Sequence, residues 1–315
     1  MTIEAREEEV RPEPTFDTST GPKHHHEPLS ERAPHPVAID VKGVDKTFGA
    51  SDQGKTVALQ DVSFQIRVGE FVSLIGPSGC GKSTLLRLVS GLVEVSGGKI
   101  EVKGLPPREA RRQRLFGIVF QSPVLFDWRT VENNVALPLQ IMGEDGSKIR
   151  TRVAELLELI GLTEFKRHYP WQLSGGMQQR VAIARALAFA PSILLMDEPF
   201  GALDEMTRER MNGEVLRIWE QTGTTILFVT HSIPEAVFLS TRVVVMSARP
   251  GRITKVIDVD LPRPRTEDTR ETRRYFELVT EVREALRAGG GDLDDAGSLG
   301  GVGSVDRAMA EGAVG

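Results

Sequence analysis

Residues 76 to 83 combine glycines, a lysine and a serine at a spacing that suits a phosphate group. They read GPSGCGKS and fit the pattern G-x-x-x-x-G-K-[ST]. Glycines let backbone N–H groups approach phosphate oxygens, the lysine reaches the β- and γ-phosphates, and the serine hydroxyl is a ligand for Mg²⁺. The apolar run Phe71–Ile75 predicts a buried strand before this phosphate loop, and leucines at helical spacing predict a helix after it. The predicted nucleotide-binding residues are Gly76, Pro77, Ser78, Gly79, Cys80, Gly81, Lys82, Ser83 and Thr84.

Two acidic residues end a second predicted strand. Ile193–Met196 is an apolar run, and Asp197 and Glu198 follow it directly. Because the carboxyl ends of parallel strands form the reactive edge of an α/β sheet, we expect both carboxylates near the phosphate loop. Asp197 would hold Mg²⁺, directly or through water, and Glu198 would orient or deprotonate an attacking water. The alternative is a pair of solvated acids in a turn.

Two further polar residues follow predicted strands. His231 comes after the β-branched and aromatic run Thr225–Val229, and Gln121 follows the segment LFGIVF. We expect His231 to contact the γ-phosphate, although a histidine in such a position also occurs as a structural residue. Gln121 offers an amide that could reach the metal ion or the attacking water.

A second serine–glycine motif, LSGGMQQR, begins at Leu173. Its glycines permit close approach of the backbone, and the N-terminus of the predicted helix that follows favours an anion. Since the chain already has one phosphate loop, the question is which phosphate Ser174, Gly175 and Gly176 would touch. The helix is predicted to have an apolar face made of Met177, Val181, Ala184 and Leu187.

In this order, the motifs resemble those of the ATP-binding subunit of an ABC transporter, over roughly residues 37–287. Their joint occurrence is specific, although Met177 replaces the commoner glutamine and Gly201 occupies a position often held by serine. The matching segments are Gly76–Thr84 (Walker A), Gln121 (Q-loop), Leu173–Met177 (signature), Ile193–Asp197 (Walker B), Glu198 (catalytic glutamate), Ala202–Asp204 (D-loop) and His231 (switch histidine).

The resemblance implies a site that two copies of the chain share. In this family two ATPase subunits pair head to tail, and the signature of one covers the ATP held by the phosphate loop of the other. ATP and Mg²⁺ are the implied cofactors, and Phe48 would stack on adenine unless it is ordinary strand packing. The implied roles are catalysis by Glu198, His231 and Lys82, metal binding by Ser83, Gln121 and Asp197, and contact in trans by Ser174, Gly175, Gly176 and Asp204.

Fold class and domain organisation follow from the same segments. The resemblance implies an α/β fold of the P-loop NTPase type, in which a RecA-like core with a parallel sheet adjoins an antiparallel β region near 37–70 and 98–104. The expected domains are a disordered tail (1–36), the ABC ATPase domain (37–260, with the helical signature subdomain at about 126–189), a C-terminal helical extension (261–287) and a second disordered tail (288–315). Both tails bury too little apolar surface to offset the entropy of ordering.

The composition of the 315 residues is typical of a soluble globular protein, with 40% hydrophobic and 26% charged residues. The net charge of −5 comes from the two acidic tails, and the core is too weakly basic to favour nucleic acid as a partner. The single cysteine, Cys80, excludes an intrachain disulfide. We find neither an apolar stretch long enough to span a membrane nor a signal peptide, so we expect the chain not to span a membrane itself.

Four longer segments resemble the ATPases of nitrate, sulfonate and taurine importers, with pyrimidine-precursor importers as close relatives: LFDWRTVENNVALPL, DEPFGALDEMTRERMN, FVTHSIPEAVFLSTRVVVMSARPGRI and LPRPR. The resemblance implies a homodimer that lies peripherally on the cytoplasmic side of the cell membrane. Its partners would be integral-membrane permease subunits and, indirectly, an extracytoplasmic substrate-binding protein. Those partners choose the solute, so the sequence of this chain does not reveal it.

The loop after Gln121 is unusually apolar. Leu125, Phe126 and Trp128 are either core residues or, as the resemblance implies, an exposed patch that meets a short helix of the permease. Three other functions stay open: a soluble ABC ATPase acting on ribosomes or DNA, an exporter ATPase, and a protein that binds ATP without hydrolysing it. The chain has a single cassette, which argues against a soluble ABC ATPase. The 261–287 segment argues against an exporter ATPase, and the presence of Glu198 and His231 argues against a protein that only binds ATP.

Overall fold

A computed structural model describes residues 35–49 and 55–290. Its strands are β1 (Val37–Phe48), β2 (Thr56–Arg67), β3 (Phe71–Ile75), β4 (Gly97–Val102), β5 (Phe116–Val119), β6 (Ile193–Asp197), β7 (Thr225–Thr230), β8 (Arg242–Met246) and β9 (Ile253–Asp258). Its α-helices are α1 (Lys82–Val89), α2 (Pro107–Arg112), α3 (Val131–Ile141), α4 (Gly146–Leu159), α5 (Gly175–Leu187), α6 (Glu205–Thr222), α7 (Ile233–Leu239) and α8 (Arg273–Ala288). In this described part of the chain, no helix combines the length and hydropathy of a membrane span.

The predicted tails lie outside the described residues, apart from residues 35–36 and 288–290. Ala288 still belongs to α8, so this helix runs one residue into the range predicted as a tail. Short 3₁₀ helices complete the regular structure at Thr163–Phe165, Pro170–Gln172 and Glu267–Glu271.

The larger sheet has the strand order β5-β6-β7-β3-β8-β9, and only β9 runs antiparallel to its neighbour. Strands β3, β6 and β7 are buried at almost every position, as expected for central parallel strands covered on both faces. In register, Ile75 lies opposite Thr230 and Asp197 lies opposite Val229. The three strands therefore end at one edge of the sheet, and the predicted α/β fold class is confirmed.

A second sheet is antiparallel, with the order β2-β1-β4, as predicted for that part of the chain. Its apolar residues pack with α1 and with one face of the larger sheet, in a core that includes Ile39 and Leu85. Successive residues of a strand point to opposite faces. The other face of the larger sheet accordingly packs against the helices, in a core that includes Val135 and Phe228.

Helix α5 is buried on nearly all sides, and its buried surface is larger than the apolar face predicted from the sequence. Of the predicted apolar positions, Met177 is only partly buried, and the helix additionally buries Gln179, Ala182 and Ile183. Gln179 Nε2 donates to the carbonyl oxygen of Phe120, just after β5, at 3.3 Å. The larger sheet thereby fixes the position of the helix whose N-terminus carries the signature.

Gly117 in β5 permits the close packing of α5. A Cβ atom at this position would lie 2.4 Å from the carbonyl oxygen of Ala186, closer than real Cβ atoms approach. Gly213, in the middle of α6, is different because, apart from its chain neighbours and the backbone of its own helix, no described atom lies within 4 Å of an added Cβ. Packing therefore requires glycine at the first position and not at the second.

We expect Gly117→Ala to lower the free energy of unfolding by about 1–3 kcal/mol, as overpacked cores do, because α5 or β5 must shift. Gly213→Ala is the matched control and should raise the free energy of unfolding by about 0.5–1 kcal/mol, because alanine is the better helix former. Urea unfolding of the full chain, followed by circular dichroism, measures both values. Wild-type stability of Gly117→Ala would contradict the close packing of α5 on β5.

Candidate active site

The phosphate loop joins β3 to α1 in a conformation that depends on glycine. Gly79 and Gly81 have φ angles of 72° and 104°, in the left-handed region that other residues rarely adopt. A Cβ atom on Gly81 would also lie 2.7 Å from the side chain of Leu59. Ser78 and Gly79, in the middle of the loop, are exposed, so a ligand can reach their backbone.

Lys82 is the first residue of α1, and its side chain folds back into the loop. The residue is only 5% exposed, and Nζ donates to the carbonyl oxygens of Gly76 at 2.8 Å and Pro77 at 3.1 Å. Cys80 is fully buried in the core beneath the loop, and this burial raises the pKa of its thiol. The lysine ammonium is thus inside the curve of the loop, whereas the thiol is a packing group.

Two residues that the sequence analysis missed support the loop from the segment between β8 and β9. Arg249 Nε donates to the carbonyl oxygen of Gly79 at 2.6 Å. Gly251 lies so close to the loop that an added Cβ would be 2.1 Å from the carbonyl oxygen of Cys80. The N–H of Gly251 donates to the carbonyl oxygen of Ala58, in β2, at 2.9 Å. The Pro-Gly pair in this segment is the only sequence signal for the contact, because it indicates a tight turn.

Ser83 and Asp197 meet although they are far apart in sequence. Ser83 Oγ donates to Asp197 Oδ1 at 2.8 Å. Burial raises the pKa of Asp197, and the hydrogen bond from Ser83 opposes this shift. A hydroxyl and a carboxylate side by side form an oxygen donor set of the kind that Mg²⁺ prefers.

Gln121 lies beside the segment that follows the acidic pair. Its Nε2 is 3.0 Å from the point that a Cβ atom on Gly201 would occupy, which places the amide against the chain just after Glu198. The residue is exposed. The structure therefore brings the Gln121 amide to the same edge of the sheet. Gly201, at a position where serine is commoner, has no side chain and so leaves room for this amide.

Glu198 and His231 form a close pair at the ends of β6 and β7. His231 Nδ1 lies 3.4 Å from Glu198 Oε2. The hydrogen bond between them lowers the pKa of Glu198 and raises the pKa of His231, and in each case burial opposes the shift. Glu198 has a φ angle of 45°, which is strained for a residue other than glycine, and such strain is concentrated at functional sites.

Contacts within the chain explain some of the signature residues and not others. Ser174 caps α5, since its Oγ accepts a hydrogen bond from the N–H of Met177 at 3.3 Å. Gly176 is buried, and an added Cβ would lie 3.0 Å from the side chain of Thr207. Gly175 is exposed, and its nearest such contact is an ordinary 3.4 Å. Packing explains Gly176, whereas Gly175 leaves free backbone at an exposed helix N-terminus.

Asp204 has a local role as the N-cap of α6. Its carboxylate accepts a hydrogen bond from the N–H of Thr207 at 3.0 Å, and this bond lowers the pKa of Asp204. Among the hydrogen bonds and ion pairs of residues 35–49 and 55–290, none joins Asp204 or Ser174–Gly176 to the phosphate loop of the same chain. Within the described chain, the predicted in-trans residues are therefore not tied to the phosphate loop by a hydrogen bond or an ion pair.

Phe48 ends β1 with an exposed ring. The residue is 43% exposed, and Lys46 Nζ lies 4.9 Å from the ring centroid. Phe48 does not belong to either hydrophobic core. This exposure argues against ordinary strand packing and leaves the stacking role as a prediction.

The apolar loop after Gln121 divides between the two alternatives that the sequence left open. Leu125 packs against the helical core, whereas Trp128 is 73% exposed and contacts Phe126 with ring centroids 5.0 Å apart. Buried Asn134 holds the loop: its Oδ1 accepts from the N–H of Phe126, and its Nδ2 donates to the Phe126 and Arg129 carbonyls. The aromatic residues are therefore presented to solvent by a fixed backbone.

The Glu198–His231 pair predicts a pH-dependent contribution to stability. Glu198 has a folded pKa below its ordinary 4.5, so its contribution is present above that value and is lost as the pH falls through the folded pKa. His231 has a folded pKa above its ordinary 6.5, so its contribution is present below that value and is lost as the pH rises through the folded pKa. The coupling should be greatest between these two ordinary values.

A double-mutant cycle with Glu198→Gln and His231→Gln, unfolded in urea across this pH range, measures that coupling. Because His231 is partly exposed, we expect only about 0.2–1 kcal/mol near pH 5.5. The coupling should shrink as the pH rises through the raised folded pKa of His231, because the imidazole then loses its charge. A coupling that is constant with pH would contradict the ion pair.

Comparisons with known proteins agree with this geometry. The ABC transporter family matches residues 59–201. The aliphatic sulfonates import ATP-binding protein SsuB of Bacillus cereus is 44% identical over 255 residues, which cover 81% of this chain and 98% of that protein. The taurine import ATP-binding protein TauB of Rhizobium johnstonii is 47% identical, covering 76% of this chain and 92% of that protein.

Two solved structures are similar in fold. The ATP-binding cassette MJ0796, as a dimer in a post-hydrolysis state bound to ADP and Pi, has a TM-score of 0.61 at 35% identity and covers 70% of this chain and 98% of that chain. The cbiO1 protein of Clostridium perfringens, part of the ABC transporter complex cbiONQ, has a TM-score of 0.65 at 28% identity, with coverages of 81% and 98%. Since the chain matches its sequence relatives along almost their whole length, it belongs to the ABC transporter family, as one of its ATP-hydrolysing subunits.

Proposed function

We propose that this chain is the energy-coupling ATPase subunit of a bacterial importer for a small solute, of the nitrate, sulfonate, taurine or pyrimidine-precursor type. The observation that carries the proposal is the similarity to SsuB and TauB over nearly their full lengths. Aliphatic sulfonates and taurine, which those two relatives are named for, share a sulfonate group. A small solute that carries a sulfonate group is the class that these relatives favour.

ATP hydrolysis is assigned to side chains that the larger sheet brings to one edge. Lys82, with its ammonium inside the phosphate loop, neutralises the β- and γ-phosphates. Glu198 orients the attacking water and accepts its proton, and its lowered pKa keeps it ionised at neutral pH. His231 orients that carboxylate, and its raised pKa favours the cationic form that suits contact with the γ-phosphate.

Ser83 and Asp197 are the residues that would hold Mg²⁺, with Gln121 beside them. A cation at this point would stabilise the Asp197 carboxylate, whose pKa burial otherwise raises. Bound Mg²⁺ supplies positive charge that neutralises the phosphate oxygens during transfer. The partly buried contact between the Ser83 hydroxyl and the Asp197 carboxylate supports this assignment.

A head-to-tail dimer would complete each site. Ser174 and Gly175 are exposed at the N-terminus of α5, and in the described part of the chain no hydrogen bond joins them to their own phosphate loop. Backbone N–H groups at a helix N-terminus bind anions, so these residues are suited to the ATP of a second copy, with Asp204 nearby. The dimeric structure of MJ0796, a bacterial ABC transporter cassette, supports a dimer.

Permease subunits are the proposed partners of the apolar loop. Trp128 and Phe126 are exposed on a backbone that Asn134 fixes, as a preformed contact surface requires. The chain would then lie peripherally on the cytoplasmic side of the membrane. An extracytoplasmic substrate-binding protein would act through the permease.

Replacing the proposed base should separate binding from hydrolysis. We expect Glu198→Gln to bind ATP and to slow turnover at least about a hundred-fold, or ~2.7 kcal/mol, because a general base is lost. It should also accumulate an ATP-bound dimer in size-exclusion chromatography with light scattering. Lys82→Ala is the control that should neither bind ATP nor dimerise. An ATP-bound monomer of Glu198→Gln would contradict the shared site.

The transporter assignment is tested by purifying the tagged chain from its native membranes and identifying its partners by mass spectrometry. We expect a polytopic permease to be recovered with the chain, and Trp128→Ala to reduce that recovery because the exposed contact is lost. Glu277→Ala, at an exposed position on α8, is the control that should leave the recovery unchanged. Ribosomal or DNA-associated partners would instead indicate a soluble ABC ATPase.

A further inference from the structure

The motif LPRPR, residues 261–265, lies outside the ATP site, and its two arginines donate hydrogen bonds to the end of the short helix α7. Helix α7 begins two residues after His231, and Ser232 caps it by accepting a hydrogen bond from the N–H of Glu235. Thr230 Oγ1 donates to the buried Glu235 carboxylate at 2.5 Å. Helix α7 is thus bonded to both sides of His231, and a shift of the helix moves the histidine.

Arg265, the last residue of the motif, closes the C-terminal end of α7. Its Nη1 donates to the carbonyl oxygens of Val237 at 3.3 Å, Phe238 at 2.7 Å and Ser240 at 2.9 Å. The residue is only 7% exposed. These carbonyls are the groups that a helix leaves unpaired at its negative end, so a cation there satisfies them directly.

Three neighbouring side chains hold the same helix. Arg263 stacks 4.2 Å from the Trp219 ring of α6 and donates to the Leu239 carbonyl at 3.4 Å. Arg270 lies 4.1 Å from the Phe238 ring. Tyr275, on α8, donates from its hydroxyl to the Pro234 carbonyl at 3.2 Å, near the start of α7. We call this set, Arg263, Arg265, Arg270 and Tyr275, the C-terminal clamp.

The C-terminal clamp buries charged guanidinium groups, which costs free energy. Burial lowers the pKa of Arg265 to about 9, with the nearby charge of Arg263 adding to the effect. Arg265 Nε has no hydrogen-bond partner among the described residues. Buried charges are often replaced by apolar residues without loss of stability, so stability alone explains poorly why two guanidinium groups lie together here. Fixing the position of α7 gives these buried groups a specific role.

We propose that Arg265 is a positioning residue for His231: through the carbonyl end of α7, the C-terminal clamp sets the distance between the histidine and Glu198. The inference rests on the proposed role of the Glu198–His231 pair in hydrolysis. The C-terminal extension is then part of the ATPase mechanism, although none of its residues reaches the site.

The test compares Arg265→Gln with Arg274→Gln in the full chain. Arg274 is an exposed arginine of the same extension that pairs with Asp260 at 2.8 Å and makes no bond to α7 in the described structure. We expect Arg265→Gln to lower kcat by about ten- to a hundred-fold, as small misplacements of reacting groups do. The KM for ATP should hardly change, because the phosphate loop is untouched. Arg274→Gln should retain wild-type values.

A second readout follows the histidine itself. NMR titration of ring-labelled histidines, with the His231 signal assigned from His231→Gln, should show the pKa of His231 falling towards its ordinary 6.5 in Arg265→Gln. Loss of a purely structural group lowers stability but leaves this pKa unchanged in the folded protein. Wild-type kcat and His231 pKa in folded Arg265→Gln would overturn the proposal.

Two further variants keep the test decisive if Arg265→Gln does not fold. Arg265→Lys keeps the charge on a shorter side chain, whose ammonium does not reach the position of Nη1. Arg270→Gln removes the contact with the Phe238 ring. Both variants should shift kcat and the His231 pKa in the same direction as Arg265→Gln. Wild-type values in both would overturn the clamp. Wild-type turnover in His231→Ala would instead overturn the role of His231 in hydrolysis, and the pKa readout would still decide whether the clamp positions it.

Discussion

The hydrogen-bond register of three parallel strands is the constraint on which the site depends. Strand β7 lies between β3 and β6, with Ile75 opposite Thr230 and Asp197 opposite Val229. A slip of one residue would turn every side chain of a strand to the opposite face of the sheet. The buried apolar residues on both faces forbid such a slip. The core of the protein therefore sets the distances at which Ser83, Asp197 and the Glu198–His231 pair meet.

Close backbone approach is the second requirement, and glycine provides it at places far from one another. Gly251 lies against the phosphate loop, Gly117 lets α5 rest on β5, and Gly176 lets the start of α5 pack on Thr207. At each point an added Cβ would come to 3.0 Å or less from a neighbouring atom. Gly175 lacks such a contact, which is why a ligand from outside the chain explains it better than packing does.

The pKa values of the two adjacent carboxylates at the site are shifted in opposite directions because their surroundings differ. Asp197 is partly buried beside a hydroxyl, and this burial raises its pKa, whereas the hydrogen bond with His231 lowers the pKa of Glu198. These opposite shifts agree with the different roles proposed for the two carboxylates, Asp197 towards Mg²⁺ and Glu198 towards the attacking water. Helix α7, held at its carbonyl end by Arg265, keeps the second carboxylate paired with its histidine.

Local patterns in the sequence were sufficient for the fold class and for the residues at the strand ends. The phosphate loop, the acidic pair and His231 each follow a short apolar run, and both the glycine spacing and the strand pattern can be read within about ten residues. The same motifs led to the family through resemblance. They did not decide the roles of single side chains, such as the burial of the Cys80 thiol.

Only the tertiary structure decided the contacts between distant segments. Arg249 reaches the phosphate loop across 170 residues of sequence, and Arg265 reaches helix α7 from the C-terminal extension. The structure also separated Leu125, which packs inward, from Trp128, which is exposed. The physical reason is that periodicity and spacing report the conformation of a segment, whereas its burial and partners depend on which other segments the sheet register brings against it.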